Sequence, residues 1–232
     1  MAMAPAGSEQ LSLAIEPAEQ PTSLPRLRPM KPQLGAAPFD DDEWFFEPWW
    51  PGTPALAYVT PDGLRLQIDH LADPAACFPE LADLTGQFAA PELIVVATLL
   101  VLDDEGRPDA ELLRRRLEDD ASRAGSPALV CSDLLHVGQR SLLGLPFAER
   151  RAELGRQLRD GDSCVTSRGL RGEGTTLAQA VAAMGLSEIG ARQLTARYRP
   201  GTADPAWLRL PIAEEPATTT RPLITLLQRL PL

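Results

Sequence analysis

A side chain that attacks phosphorus as a primary amine must be a lysine, and this chain has one, Lys31, in Arg28-Pro29-Met30-Lys31-Pro32. The remaining 21 of its 22 basic residues are arginines. A guanidinium stays protonated and cannot serve as an amine nucleophile. His70 and His136 stand alone, and Cys77, Cys131 and Cys164 are widely spaced with no CxxC pair. Neither set has zinc-ligand spacing, so no metal site is expected. The cysteines read as small buried thiols of a reduced, cytoplasmic protein. Trp49-Trp50 allows two readings: the pair stacks on an exposed base, worth about 1–3 kcal/mol per base, or Trp49 fills an interior pocket as core. Arg192, Arg197, Arg199 and Arg209 cluster late in the chain and are candidates for a phosphate-facing strip toward DNA. Arg114, Arg115 and Arg116 alternate with Glu111, Glu118, Asp119 and Asp120, the pattern of a solvated helix face.

Bulk composition limits these readings. The net charge is −10 and the pI about 4.7, which argues against strong unaided binding to nucleic acid. No apolar run reaches the roughly 18 residues of a membrane span. Residues 1–7 lack the basic start of a signal peptide. Apolar residues make up 44% of the 232, enough for the core of one domain.

Several segments, in order along the chain, resemble the adenylation domain of ATP-dependent DNA ligases. The run Trp44-Phe45-Phe46-Glu47-Pro48-Trp49-Trp50-Pro51-Gly52 is similar to the family pattern Trp-x-Phe-Glu-x-Lys-x-Asp-Gly-x-Arg. Trp44, Phe46, Glu47 and Gly52 match; the lysine position holds Trp49, the aspartate Pro51 and the arginine Pro54. Downstream, residues 101–109 resemble the stretch after the family's Asp-Gly-Glu motif, whose own position falls on Val96-Ala97-Thr98. Asp133-Leu134-Leu135-His136, Arg140-Ser141-Leu142-Leu143 and Leu145–Arg151 are the nearest likeness, with Ser132 where the family has a base-stacking Phe. The Glu-Gly-Val-Val-x-Lys motif maps on Ser187–Arg192, and the family's final lysines on Arg209 and Pro211.

The resemblance implies an α+β, ATP-grasp-like nucleotidyltransferase fold, with antiparallel sheets and flanking helices. It also implies a degenerate ATP pocket at Glu47, Trp49, Gly52, Thr98, Ser132, Arg192 and Arg209. Adenylation needs a neutral amine near the α-phosphate, carboxylates for magnesium and cations for the charge that builds on phosphorus. Indole, threonine and proline supply none of these. No catalytic residue and no cofactor is expected; ATP and magnesium enter only if a divergent enzyme survives. Lys31 lies too far ahead, between prolines. The family's OB-fold domain is not expected either, since 212–232 is far too short for a five-stranded barrel.

Residues 1–25, rich in Ala, Pro, Glu, Gln and Ser, read as a disordered tail. Within it, Gln10-Leu11-Ser12-Leu13-Ala14-Ile15 resembles the peptide by which bacterial replication and repair proteins hold the DNA sliding clamp. Gln10, Leu11, Leu13 and Ile15 would be the contacts. An accidental apolar cluster, or a strand docking on the domain, is the competing reading. The implied function is a ligase-like protein of bacterial DNA repair or replication. It would be non-catalytic and would partner the clamp, DNA or an active ligase.

The elements expected to carry these residues lie within 26–211. A hairpin of Ala55–Thr60 and Leu64–Asp69 turns at Pro61-Asp62-Gly63. Strands are expected at 92–102, 128–137, 163–166 and 206–210. Helices are expected at 78–88, 109–121 with Asp109 as cap, 146–158, and 175–184 ending at Gly185. Residues 212–232 read as a polar linker and a short apolar tail, which packs back on the domain or serves a partner.

Overall fold

Residues 93–102 are apolar at every position but Thr98, the composition of a strand covered on both faces. In a computed structural model this run is the central strand of a sheet. The structure describes residues 24–69, 71, 78–118, 123–213, 225 and 228. The first part of the chain forms β1 (Lys31–Leu34), β2 (Asp40–Pro48), β3 (Thr53–Thr60), β4 (Gly63–Ile68), a 3₁₀ helix (Pro79–Gln87) and β5 (Leu93–Leu102). Then come α1 (Ala110–Glu118), β6 (Ser126–Val137), β7 (Arg140–Ser141), α2 (Phe147–Gln157) and β8 (Cys164–Thr166). The last described elements are β9 (Leu170–Glu173), α3 (Gly174–Ala182), β10 (Glu188–Gln193) and β11 (Ala203–Pro211).

The strands form two sheets, one ordered β1-β11-β10-β2-β9 and the other β4-β3-β5-β6-β7, with β8 beside β6. Most pairs are antiparallel, as expected; β1–β11 and β6–β8 are parallel. Alternation along β5 separates two environments. Leu93, Val95, Ala97, Leu99 and Val101 enter one apolar cluster with Leu81, Leu113 and Leu154. Ile94, Val96 and Leu100 join clusters shared with the other sheet.

A bulge in β6 places the polar residues. The β5–β6 register passes from Val96↔Asp133 to Ala97↔Cys131, leaving Ser132 without a partner. One extra residue breaks the in–out alternation, so Ser132 and Asp133 both reach the side facing the second sheet. Gly52, just before β3, is needed for close approach: a Cβ there would lie 2.3 Å from Leu99 O.

The expected hairpin, β5, β6 and three helices are present with small changes at their ends. Asp109 caps α1 through the amides of Glu111 and Leu112, at 2.8 and 2.9 Å. The segment expected as a helix at 78–88 is a 3₁₀ helix, and the final strand starts at Ala203. Leu24, assigned above to the tail, packs on the cluster of Leu27, Met30 and Tyr58. The clamp-like peptide, His70 and Cys77 lie outside the described residues. No described helix is long and apolar enough to cross a membrane.

Candidate functional site

Between the sheets, Glu47 from β2, Thr98 from β5, Ser132 from β6 and Arg192 from β10 line one narrow cavity with Trp49, Trp50, Ser167 and Trp207. Four strands from both sheets converge here because β2 and β10 pair directly, Gly190 opposite Glu47 and Arg192 opposite Phe45. The cavity measures about 30 Å³. That is room for about two water molecules; a small-molecule pocket takes roughly 300–1,000 Å³.

The charges around it are held by one another. Arg150 grips Asp133 with two parallel bonds, Nε to Oδ1 at 2.9 Å and Nη2 to Oδ2 at 2.7 Å. Its Nη1 donates to the carbonyls of Leu145 and Ala196. Such forked pairing fixes geometry as well as charge. Arg192 donates from Nη2 to Ser132 Oγ at 2.8 Å and from Nη1 to Asp133 Oδ2 at 3.4 Å. Its Nε lies 3.3 Å from Glu47 Oε1, a close ion pair outside hydrogen-bond geometry. The Arg192 guanidinium stacks 4.3 Å from the Trp207 ring centre. Arg151 lies over Phe45 at 4.1 Å and donates to the Ser167 carbonyl. Burial holds the Arg151 guanidinium below its usual pKa. Glu47 Oε2, Ser167 Oγ, Trp50 Nε1 and Trp207 Nε1 are buried and meet no protein partner; all four side chains line this cavity.

Trp49 forms part of the wall. Its ring tilts against Trp207 at 6.4 Å, and the Arg209 guanidinium lies 5.2 Å over its outer face. On that outer side an open cleft of about 730 Å³ is lined by Trp49, Trp50, Gly52, Leu113, Leu186 and Arg209, among others. The seven expected pocket residues are thus divided. Glu47, Thr98, Ser132 and Arg192 face the narrow inner cavity, Gly52 and Arg209 the outer cleft, and Trp49 both.

The four arginines of the expected strip do not share one open face. Arg192 is buried with the acids. Arg209 is paired with Glu188 at 2.7 and 2.5 Å, and Arg199 sits 3.4 Å from Asp204. Arg197 is exposed. Lys31 lies on β1, its side chain 65% exposed and 3.2 Å from Asp69. Cys131 and Cys164 are free and buried, their sulfurs 3.6 Å apart. Their mutual hydrogen bond and burial push the Cys131 thiol up. Sequence reasoning did not single out Ser167, which follows a short strand and carries no signal of its own. Asp133, Arg150 and Trp207 were noticed only as parts of longer matching segments.

No family model matches the chain. It is 30% identical over 193 residues to DNA ligase C1 of Mycolicibacterium smegmatis, covering 77% of this chain and 56% of that protein. It is 28% identical over 141 residues to DNA ligase C of Mycobacterium tuberculosis, covering 56% and 38%. A solved structure of mycobacterial DNA ligase D complexed with ATP and MES superposes with a TM-score of 0.69 at 24% identity, covering 80% of this chain and 60% of that one. The chain belongs to the ATP-dependent DNA ligase family. Its fold is that of a DNA ligase nucleotidyltransferase domain. It spans about half, or less, of the length of these curated ligases, so the two sheets described above correspond to a part of such a protein.

Proposed function

We propose that this ligase-family domain is non-catalytic and serves bacterial DNA repair or replication as an interaction module. The observation that carries the reading is the 30 Å³ cavity walled by Trp49, at the position the motif comparison gives to the adenylated lysine. A nucleotide and its metal do not fit this inner cavity. The volume is about a tenth of the smallest usual ligand pocket, and Glu47 and Asp133 each face an arginine. Indole has no basic lone pair to offer phosphorus, and Lys31 is held outside by Asp69. What the site can do is mechanical. Arg150, Arg192, Asp133 and Glu47 tie β2, β6, β10 and α2 together, and so fix the distance between the sheets.

In this reading the module is cytoplasmic and is tethered to a sliding clamp through Gln10, Leu11, Leu13 and Ile15. Two apolar anchors and a register-setting glutamine on a short peptide give moderate affinity, because a peptide that orders on binding loses entropy. DNA or an active ligase remains a further partner. One observation favours a second reading, a divergent nucleotidyltransferase completed by another chain: the curated relatives named above are ligases.

Labelled ATP with magnesium separates the two. The non-catalytic reading predicts no covalent adduct, and label on any residue of the purified chain would support the enzyme. For the tether, a clamp pull-down comparing wild type with Gln10→Ala/Leu13→Ala should show binding only for wild type; equal recovery of both would end that part of the proposal.

A further inference from the structure

Two stretches of the chain carry cations and no acid. Residues 24–31 contain Arg26, Arg28 and Lys31, and residues 194–203 contain Arg197 and Arg199. The fold lays one stretch against the other. Met30 donates its amide to the Tyr198 hydroxyl at 2.8 Å, Gly201 donates to the Arg28 carbonyl at 3.1 Å, and Lys31 to the Thr202 carbonyl at 2.9 Å. Arg28 lies across Gly201, its nearest side-chain carbon 3.3 Å from where a Cβ would stand. The first stretch also ties to the hairpin of β3 and β4. Leu27 donates its amide to the Tyr58 hydroxyl and accepts from Gln67 Nε2, and the Arg65 guanidinium sits 5.6 Å from the Tyr58 ring centre.

The side chains Arg26, Arg28, Lys31, Arg65, Arg197 and Arg199 are all exposed. Asp69 faces Lys31 at 3.2 Å and Asp204 faces Arg199 at 3.4 Å. Arg26, Arg28, Arg65 and Arg197 pair with no acid among the described residues. A positive strip therefore crosses the surface of a chain whose net charge is −10. Leu34 stands about 10 Å along β1 from Lys31. It is 77% exposed, the one large apolar side chain so exposed among the described residues.

We propose that this strip holds an acidic peptide segment of a partner protein, its carboxylates on Arg26, Arg28, Arg65 and Arg197 and an apolar side chain on Leu34. Guanidinium forks match carboxylates. The rest of the surface sets how long the anion can be. The chain has 32 acids against 22 basic residues, and like charges repel within a Debye length of about 8 Å. A nucleic-acid duplex runs on past the strip, with a charge about every 1.7 Å, and meets those acids; a short peptide does not. Leu34 offers nothing to a phosphate backbone but gives a peptide side chain a contact. This partner deepens the interaction-module reading by naming a chemistry for it. ATP labelling tests that reading and peptide binding tests the strip, so each fails on its own result.

Fluorescence anisotropy on the full chain tests it with a labelled hexaglutamate peptide ending in phenylalanine. Saturable binding at low salt that fades toward physiological salt is expected. Arg28→Ala/Arg197→Ala should weaken binding about tenfold or more, and Arg26→Ala/Arg65→Ala should repeat the loss from the other end of the strip. Arg115→Ala/Arg159→Ala removes the same charge elsewhere on the surface and should leave binding unchanged. Leu34→Ser should abolish the advantage of the phenylalanine-ended peptide over one ending in serine. No binding at low salt, equal loss in all three double variants, or indifference to Leu34→Ser would overturn the proposal. So would a short DNA duplex held more tightly than the peptide, which would give the strip to nucleic acid.

Discussion

On one face of β5, Leu93, Val95, Ala97, Leu99 and Val101 pack into a cluster of leucines, valines and phenylalanines. On the other face, Val96 and Thr98 border a layer where Arg150, Arg192, Asp133 and Glu47 are almost as deeply buried. The first region is held by burial of apolar area, and many neighbours share the load. In the second, each charge is tolerable only because its partner is in place, since an unpaired ion in the interior costs several kcal/mol. The apolar side should therefore yield gradually to truncation, and the ionic side abruptly to the loss of one member.

That contrast can be broken by substitution. Arg150→Met strands Asp133 beside Arg192 alone, and about 3–5 kcal/mol of stability should be lost in a urea titration. A loss below about 1 kcal/mol, the size of an exposed pair, would mean water reaches the cluster. Leu99→Ala opens a cavity in the apolar region and should cost about 2–5 kcal/mol by the same measurement. Gly52→Ala drives a methyl toward the Leu99 carbonyl; the backbone must shift, and about 1–3 kcal/mol should be lost. Arg209→Ala removes an exposed pair and the cover over Trp49, and should change stability by less than about 1 kcal/mol.

Acid and alkali act on different edges of the same frame. Burial pushes the Tyr198 phenol up to about 12. Its folded value exceeds the unfolded one, so its contribution is complete below about 10 and falls as pH climbs toward 12, because the unfolded chain ionises first. An absorbance titration should show a late tyrosine step that disappears in Tyr198→Phe. At the other end, Asp40 accepts from the Thr175 hydroxyl and amide at the start of α3, and these bonds hold its carboxyl below the usual range. Its small contribution is present above about pH 4 and is lost as pH falls through the lowered value. Asp40→Asn should flatten that acid limb.

Legibility in the sequence followed the same division. The hairpin at Pro61-Asp62-Gly63, the apolar run of β5 and the Asp109 cap are local signals, and all three lie where expected. Strands β1, β2, β7, β9 and β10 lie outside the segments expected as strands. β2 opens with the exposed acids Asp40–Glu43, and β10 is Glu-Ile-Gly-Ala-Arg-Gln; the inward Glu47 and Arg192 imitate loop composition, because they pair with each other and with Asp133 of β6, far apart along the chain. The site was legible as motif positions, and Glu47, Thr98, Ser132 and Arg192 do converge. Periodicity could not show that a β6 bulge turns Ser132 and Asp133 to the same side, nor that Trp49 stands between a narrow inner cavity and an open cleft.

The central claim is that the inter-sheet cavity, walled by Trp49 and tied by Arg192, takes no nucleotide. Calorimetric titration of the full chain with ATP and magnesium tests it most directly. The account predicts no saturable heat up to about 1 mM ATP, an affinity weaker than about 4 kcal/mol. A saturable isotherm at micromolar ATP that disappears in Arg192→Ala would contradict it.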